Sequence, residues 1–293
     1  MQKLIFLLIP LLLGFIGFSQ PINPTLPDPN PPAEIPGMNL VWADEFNFDE
    51  KPNPQFWKYE KGFVRNEELQ WYLEKNAICT NGVLLIEGRR EEISNPRFEA
   101  GSQSWKNNRE FAHYTSSSIN TRGLKQWLYG RFEIRARIDT AMGCWPAIWT
   151  LGTTQSWPSN GEIDLMEFYR VKGEPTILAN VAWGTSQQHV AKWHTEMIPF
   201  SKFTVADPDW VKKFHIWRMD WTQESIQLYV DDELLNTTSL KETINPDGNN
   251  PFTKPQYLLL NLALGRHGGN PDQTKFPVRY EVDYVRVYQE IEK

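Results

Sequence analysis

Short runs in which apolar and polar residues alternate recur through most of the chain, separated by glycine or by Asp/Asn-rich segments. Residues 83–87, 116–121, 130–138 and 177–183 have this form, as do 215–221, 225–230, 257–262 and 280–288. A period of two marks a strand with one buried face. Many such short strands between turns predict an all-β sandwich or barrel. Val230-Asp231-Asp232-Glu233-Leu234 reads as a hairpin turn. No long stretch has helical spacing, and only 209–213 reads as a single helical turn. No internal repeat is present.

One run breaks the pattern. In Gly161-Glu162-Ile163-Asp164-Leu165-Met166-Glu167-Phe168, three carboxylates sit among residues that prefer burial. In a regular strand Glu162 and Asp164 share a face, but position 166 should follow them and is methionine. Glu167 would then enter the core unpaired, which is costly. One extra residue at Leu165–Met166, a β-bulge, returns Glu167 to the acidic face, and bulges cluster beside active sites. Along a straight strand Glu162 and Glu167 would lie ~13 Å apart. Side chains leaning together can close this to the ~5–5.5 Å of a retaining glycosidase pair. A solvated acidic strand face is the plainer alternative.

Composition narrows the field. The 293 residues include 13 Trp and are 40% hydrophobic, enough for a core with aromatic residues to spare. The formal charge of −6 gives no reason to expect a nucleic-acid partner and mildly disfavours polyanionic substrates. Cys79 and Cys144 imply no disulfide framework; their pairing depends on proximity, which spacing does not reveal. Neither lies in a Cys-x-x-Cys metal pattern.

Residues 1–19 read as a secretory signal. Lys3 precedes an apolar run shorter than the ~20 residues of a spanning helix, and Gly17 and Ser19 offer small residues for cleavage. This predicts a secreted, periplasmic or cell-surface protein with no span in the mature chain. Residues 20–37 are crowded with proline and read as an extended linker. The folded domain is expected to occupy 38–293.

The acidic run, preceded by Trp157-Pro158-Ser159-Asn160-Gly161, resembles the signature of glycoside hydrolase family 16, in the form of its laminarinase-like branch. Further matches run in order along the chain. They include Trp42-Ala43-Asp44-Glu45-Phe46, Asn66-Glu67-Glu68-Leu69-Gln70-Trp71-Tyr72 and Tyr129-Gly130-Arg131-Phe132-Glu133. Trp145-Pro146-Ala147-Ile148-Trp149, Leu259-Leu260-Asn261-Leu262-Ala263 and Asp283-Tyr284-Val285-Arg286-Val287-Tyr288 complete the set. The resemblance implies a β-jelly-roll of two curved antiparallel sheets with substrate in the concave cleft. It implies Glu162 as nucleophile, Glu167 as acid/base and Asp164 as the assisting aspartate. It matches Asn66 and Arg131 to the glycone side of the cleft, although Arg131 can equally pair with Glu133 on a sheet surface. It also implies a structural Ca²⁺, held by Glu45, the Gly88 carbonyl and Asp283, with no cofactor needed for catalysis. Exposed strand acids are the alternative there.

Sugar rings present apolar C–H faces that pack on aromatic planes. Trp145 and Trp157 are the expected sugar-facing platforms, while Trp149, among Ile148 and Leu151, fits the core better. His113 and His267 read as ordinary surface or core histidines, and the charged, aromatic region 95–114 as a candidate wall of the cleft. Ala182 stands where many laminarinases carry histidine, which leaves the linkage and subsites open. The expected function is a secreted, monomeric endo-glycosidase acting on the polysaccharides β-1,3- or mixed β-1,3/1,4-glucan. The alternatives are a galactan hydrolase of the same family and a non-catalytic sandwich lectin.

Overall fold

The computed structural model describes residues 21–291, so the signal expected at 1–19 lies outside the described residues. The strands in chain order begin with β1 (Met38–Asp44), β2 (Lys58–Tyr59), β3 (Gln70–Tyr72), β4 (Ala77–Thr80), β5 (Val83–Ser94) and β6 (Phe111–Ser116). Then come β7 (Ser118–Asn120), β8 (Gly130–Ile138), β9 (Cys144–Gly152), β10 (Glu162–Val171), β11 (Glu174–Gly184) and β12 (Ala191–Pro199). After a short helix α1 (Ser201–Ala206) follow β13 (His215–Trp221), β14 (Ser225–Val230), β15 (Glu233–Ser239), β16 (Gln256–Leu264) and β17 (Val278–Glu290). The predicted runs at 130–138, 215–221 and 225–230 coincide with strands, and the others are extended by a few residues or, at β7, shortened. The hairpin at Val230 is present, with Asp231 in the left-handed region at φ 46°. β12 was not anticipated, because most of its residues are polar or partly exposed.

The strands form two sheets, the layers of a β-jelly-roll sandwich. One has ten strands in the order β15-β14-β13-β8-β17-β5-β6-β3, with β1 paired to β17 and β4 to β5. The other has seven, in the order β12-β11-β10-β9-β16-β7-β2. Alternation decides what each strand buries. Ile163 and Phe168 of β10, Ile177, Ala179 and Val181 of β11, and Leu258, Leu260 and Leu262 of β16 enter one core with Ile134, Trp217 and Val285 of the facing sheet. The opposite face of the seven-stranded sheet is left to carry the site.

Two expectations for the periphery are corrected. The proline-rich segment is extended but is not a free linker. It lies along the ten-stranded sheet as a strap: the Phe214 amide donates to Pro24 O at 2.6 Å and the Asp28 amide to Asp283 Oδ2 at 3.0 Å. Arg135 Nη1 donates to Leu26 O at 2.9 Å. Proline has no N–H to donate, but its carbonyl and those of its neighbours accept, here from the Phe214 amide and the Arg135 guanidinium.

The residues expected to hold Ca²⁺ do not fit one. Glu45 is engaged by Arg286 through both carboxylate oxygens (2.9 and 2.8 Å), and Asp283 by Arg135 and the Asp28 amide. Gly88 pairs with Val278, ~16 Å along β17 from Asp283 at ~3.3 Å per residue. Among the described residues no group of three or more acids, histidines or cysteines is arranged to hold a metal. Cys79 and Cys144 are both free and buried, one in each sheet.

Candidate active site

The bulge is where the alternation required it. Asp164 pairs with Asn180 and Glu167 with Leu178, so β10 uses one residue more than β11 between these points. The register against β9 shifts at the same place. Leu165 and Met166 both turn inward and are fully buried. Glu162, Asp164 and Glu167 therefore share the outer face, all lining one cavity of about 490 Å³.

Cross-strand register sets out the floor in rows. Leu151, Glu162, Ala182 and Trp193 stand side by side on β9, β10, β11 and β12. Trp149, Asp164, Asn180 and Thr195 form the next row. Two indoles terminate a chain of side-chain contacts through the acids. Trp157 Nε1 donates to Glu162 Oε2 at 2.8 Å, and Trp145 Nε1 to Glu167 Oε1 at 2.9 Å. Between them the Asn180 amide nitrogen donates to both Asp164 Oδ2 and Glu167 Oε2 at 2.9 Å. Asp164 also shares a hydrogen bond with Glu162. Trp145 and Trp157 thus hold the carboxylates as well as lining the cavity.

All three acids are pushed above the ordinary carboxylate range, chiefly by burial. Glu167 adds to the rise at Glu162, while the hydrogen bonds from Trp157 and Asp164 and the positive charge of Arg65 oppose it. Burial and the neighbouring Glu162 and Glu167 push Asp164 well above its ordinary range, and its hydrogen bond with Glu162 favours the proton on Asp164 and the charge on Glu162. At Glu167, Trp145 and Asn180 favour the anion and the nearby Glu68 disfavours it. Each glutamate thus has an indole and one further donor; what differs is that Arg65 adds a positive charge at Glu162 and Glu68 a negative one at Glu167.

The remaining candidates divide. Asn66 lines the cavity from a loop in which Asn66 and Glu67 adopt φ of 55° and 52°. Arg131 does not reach it. On β8, in the other sheet, it forms a two-point pair with Asp220 directly opposite on β13 (2.6 and 2.9 Å). Residues opposite one another on neighbouring strands are closer than Arg131 and Glu133, two apart on one strand. The cation in the cavity is Arg65, which sequence reading missed. It pairs with Glu60, its guanidinium lies 5.1 Å from the Trp149 ring, and its Nη1 is buried with no protein partner. The signal was available only as a basic residue next to Asn66.

Trp149 is not between the sheets. It lines the cavity over Tyr257 and Leu259 and donates to Asn261 at 2.7 Å. His267 also belongs to the cavity, edge-on to Trp145 at 4.8 Å, whereas His113 sits on the surface beside Glu92. Region 95–114 supports the Asn66 loop from outside. Arg109, stacked on Phe63 and Trp105, donates to the carbonyls of Glu68 (2.6 Å) and Glu67 (2.9 Å).

A two-sheet sandwich with paired, indole-held glutamates in an aromatic-lined cavity defines a glycoside hydrolase of the carboxylate-pair type. Residues 51–286 match the family model for glycosyl hydrolases family 16, and the chain belongs to that family. A β-glucanase from Rhodothermus marinus is 35% identical over 275 residues, covering 88% of each chain. The laminarinase catalytic domain from Thermotoga maritima superposes with a TM-score of 0.72 at 31% identity, covering 87% of this chain and 99% of that one. A structure from work on endo-acting O-glycanases, with which human gut microbes initiate mucin breakdown, reaches a TM-score of 0.79 at 33% identity, covering 89% and 94%.

Proposed function

We propose that the protein is a retaining endo-glycosidase acting on β-1,3- or mixed β-1,3/1,4-glucan, exported from the cell. The observation that carries the chemistry is the unbroken chain Trp157–Glu162–Asp164–Asn180–Glu167–Trp145 on the outer face of the seven-stranded sheet. Glu162 attacks the anomeric carbon as the bond to the leaving oxygen breaks, and Glu167 gives that oxygen its proton. Water then attacks the glycosyl-enzyme, Glu167 takes its proton, and Glu162 departs as carboxylate. Asp164, protonated, supports the Glu162 anion and accepts its share of Asn180. The glucan assignment follows the β-glucanase and laminarinase relatives. Among the described residues no helix is long and apolar enough to cross a membrane.

A second substrate has its own support. Ala182 stands beside Glu162 where many laminarinases place histidine, and the O-glycanase structure superposes with a higher TM-score than the laminarinase one. The first leaves the linkage open, and the second favours a mucin-type O-glycan. Reducing-end release by the purified protein on laminarin, barley β-glucan, agarose, porphyran, carrageenan and mucin O-glycans tests the assignment. Cleavage of laminarin or barley glucan is expected. Cleavage of a galactoside alone would keep the mechanism and replace the substrate, and binding without cleavage of any would leave a lectin.

A further inference from the structure

The cavity does not end at the acid pair. Beyond Glu162 the row continues with Ala182 and then Trp193. Two strand spacings, about 9.6 Å at ~4.8 Å each, separate Glu162 from Trp193 along the sheet. Ala182 between them is fully buried, and the cavity passes above it from Glu162 to Trp193.

Trp193 ends that row on β12. It lines the same cavity as Glu162 and is 44% exposed. Its strand neighbour His194 points to the other side, where its ring bonds Thr238 of β15 at 2.7 Å, so alternation commits Trp193 to the site face. Two residues past Thr195 on the same face, Met197 is 54% exposed. β12 is the edge of its sheet, so nothing from the sheet covers this apolar track. An indole left bare at the rim of a polar cavity has a face free for the C–H surface of a sugar.

Arg65 and Asn66 stand on the opposite flank. Their loop is tied to β16, where the Leu69 amide donates to Leu264 O at 2.9 Å. A glycan crossing the strands over β9 and β10 therefore meets Arg65 and Asn66 on one side and Trp193 on the other.

We infer that Trp193 forms a sugar-stacking subsite on the β12 side of the bond cleaved, which selects for glycans extending past that bond. The inference rests on the glycosidase reading of the acid pair and assigns a residue which that reading does not use.

The test compares Trp193→Ala and Trp193→Phe. Binding is measured in a Glu162→Gln background by native gels containing laminarin, barley β-glucan or mucin glycans. Trp193→Ala is expected to weaken binding about tenfold, the equivalent of ~1.4 kcal/mol for one lost ring face, while Trp193→Phe stays close to its parent. With Glu162 intact, Trp193→Ala should raise KM on the polymer and leave kcat/KM unchanged on an aryl glycoside too short to reach β12. Unchanged polymer binding in Trp193→Ala, or an equal loss on the aryl glycoside, would overturn the subsite. Failure of the glycosidase reading shows itself separately, as full turnover in Glu162→Gln.

Discussion

Asn180 and Trp157 pull the two glutamates in different directions, and each can be tested alone. The Asn180 amide favours ionised Glu167, which must be protonated to act as acid. Asn180→Ala should therefore move the alkaline limb of the kcat/KM profile to higher pH. Trp157 favours ionised Glu162, the attacking form. Trp157→Phe should raise the Glu162 pKa and move the acid limb up, narrowing the profile. A limb that stays in place in either variant would remove that donor from the account. The same burial makes the site a cost to folding. Glu162 and Glu167, with folded pKa values raised from their ordinary 4.5, bind more protons folded than unfolded above that pH. Their contribution to stability is thus complete below about pH 4.5 and is lost as pH rises through the folded values. Glu162→Gln is expected to abolish turnover and to raise Tm at pH 8 by about a few degrees, with a smaller gain at pH 4. An unchanged Tm at pH 8 would show that the carboxylate is well solvated.

At the scale of an element, β10 depends on its one extra residue. The bulge lets Leu165 and Met166 both enter the core while Glu167 returns to the face of Glu162. Deleting Met166 removes the extra residue, and regular alternation then keeps Glu167 on the face of Glu162 and Asp164 with Leu165 alone turned inward. We expect turnover to persist, with a destabilisation of about 2–5 kcal/mol by urea melting from the lost core side chain. Turnover abolished in a variant that still folds would show that the bulge itself sets the spacing of the two glutamates. The bulge was legible before any coordinates, because the sequence of three acids and three apolar residues permits no regular strand. β12 was not legible. Its pattern of Lys192, Trp193, His194 and Glu196 has little apolar content, since one side faces the cavity and solvent and the other meets β15 only in part.

For the whole molecule, the ten-stranded sheet carries the stabilising charge network and the seven-stranded sheet the chemistry. The Arg135–Asp283 pair is buried beneath the proline-rich strap. Asp283→Ala would leave a buried arginine without its counter-ion, and a destabilisation of about 3–5 kcal/mol is expected with kcat unchanged. Because arginines occupy the acids that were expected to bind Ca²⁺, EDTA should leave Tm unaltered. A fall in Tm reversed by Ca²⁺ would contradict the pairing of Glu45 with Arg286 and of Asp283 with Arg135.

Periodicity of two, turn residues and a misfit acidic run are local properties, and local properties decided what the chain could state alone: strands, a sandwich or barrel, a bulge and the three acids on one face. A strand's side chains alternate whatever it is paired with, so Glu162, Asp164 and Glu167 could be placed before their neighbours were known. Partners depend on which strands lie side by side, and that only the tertiary structure decided. It gave Arg131 to Asp220, Glu45 and Asp283 to arginines, and the proline segment to a sheet face. It brought Arg65, Asn180, Trp193 and His267 around one cavity from four separate parts of the chain. Contacts across such sequence distances are set by register and packing, which no single segment encodes.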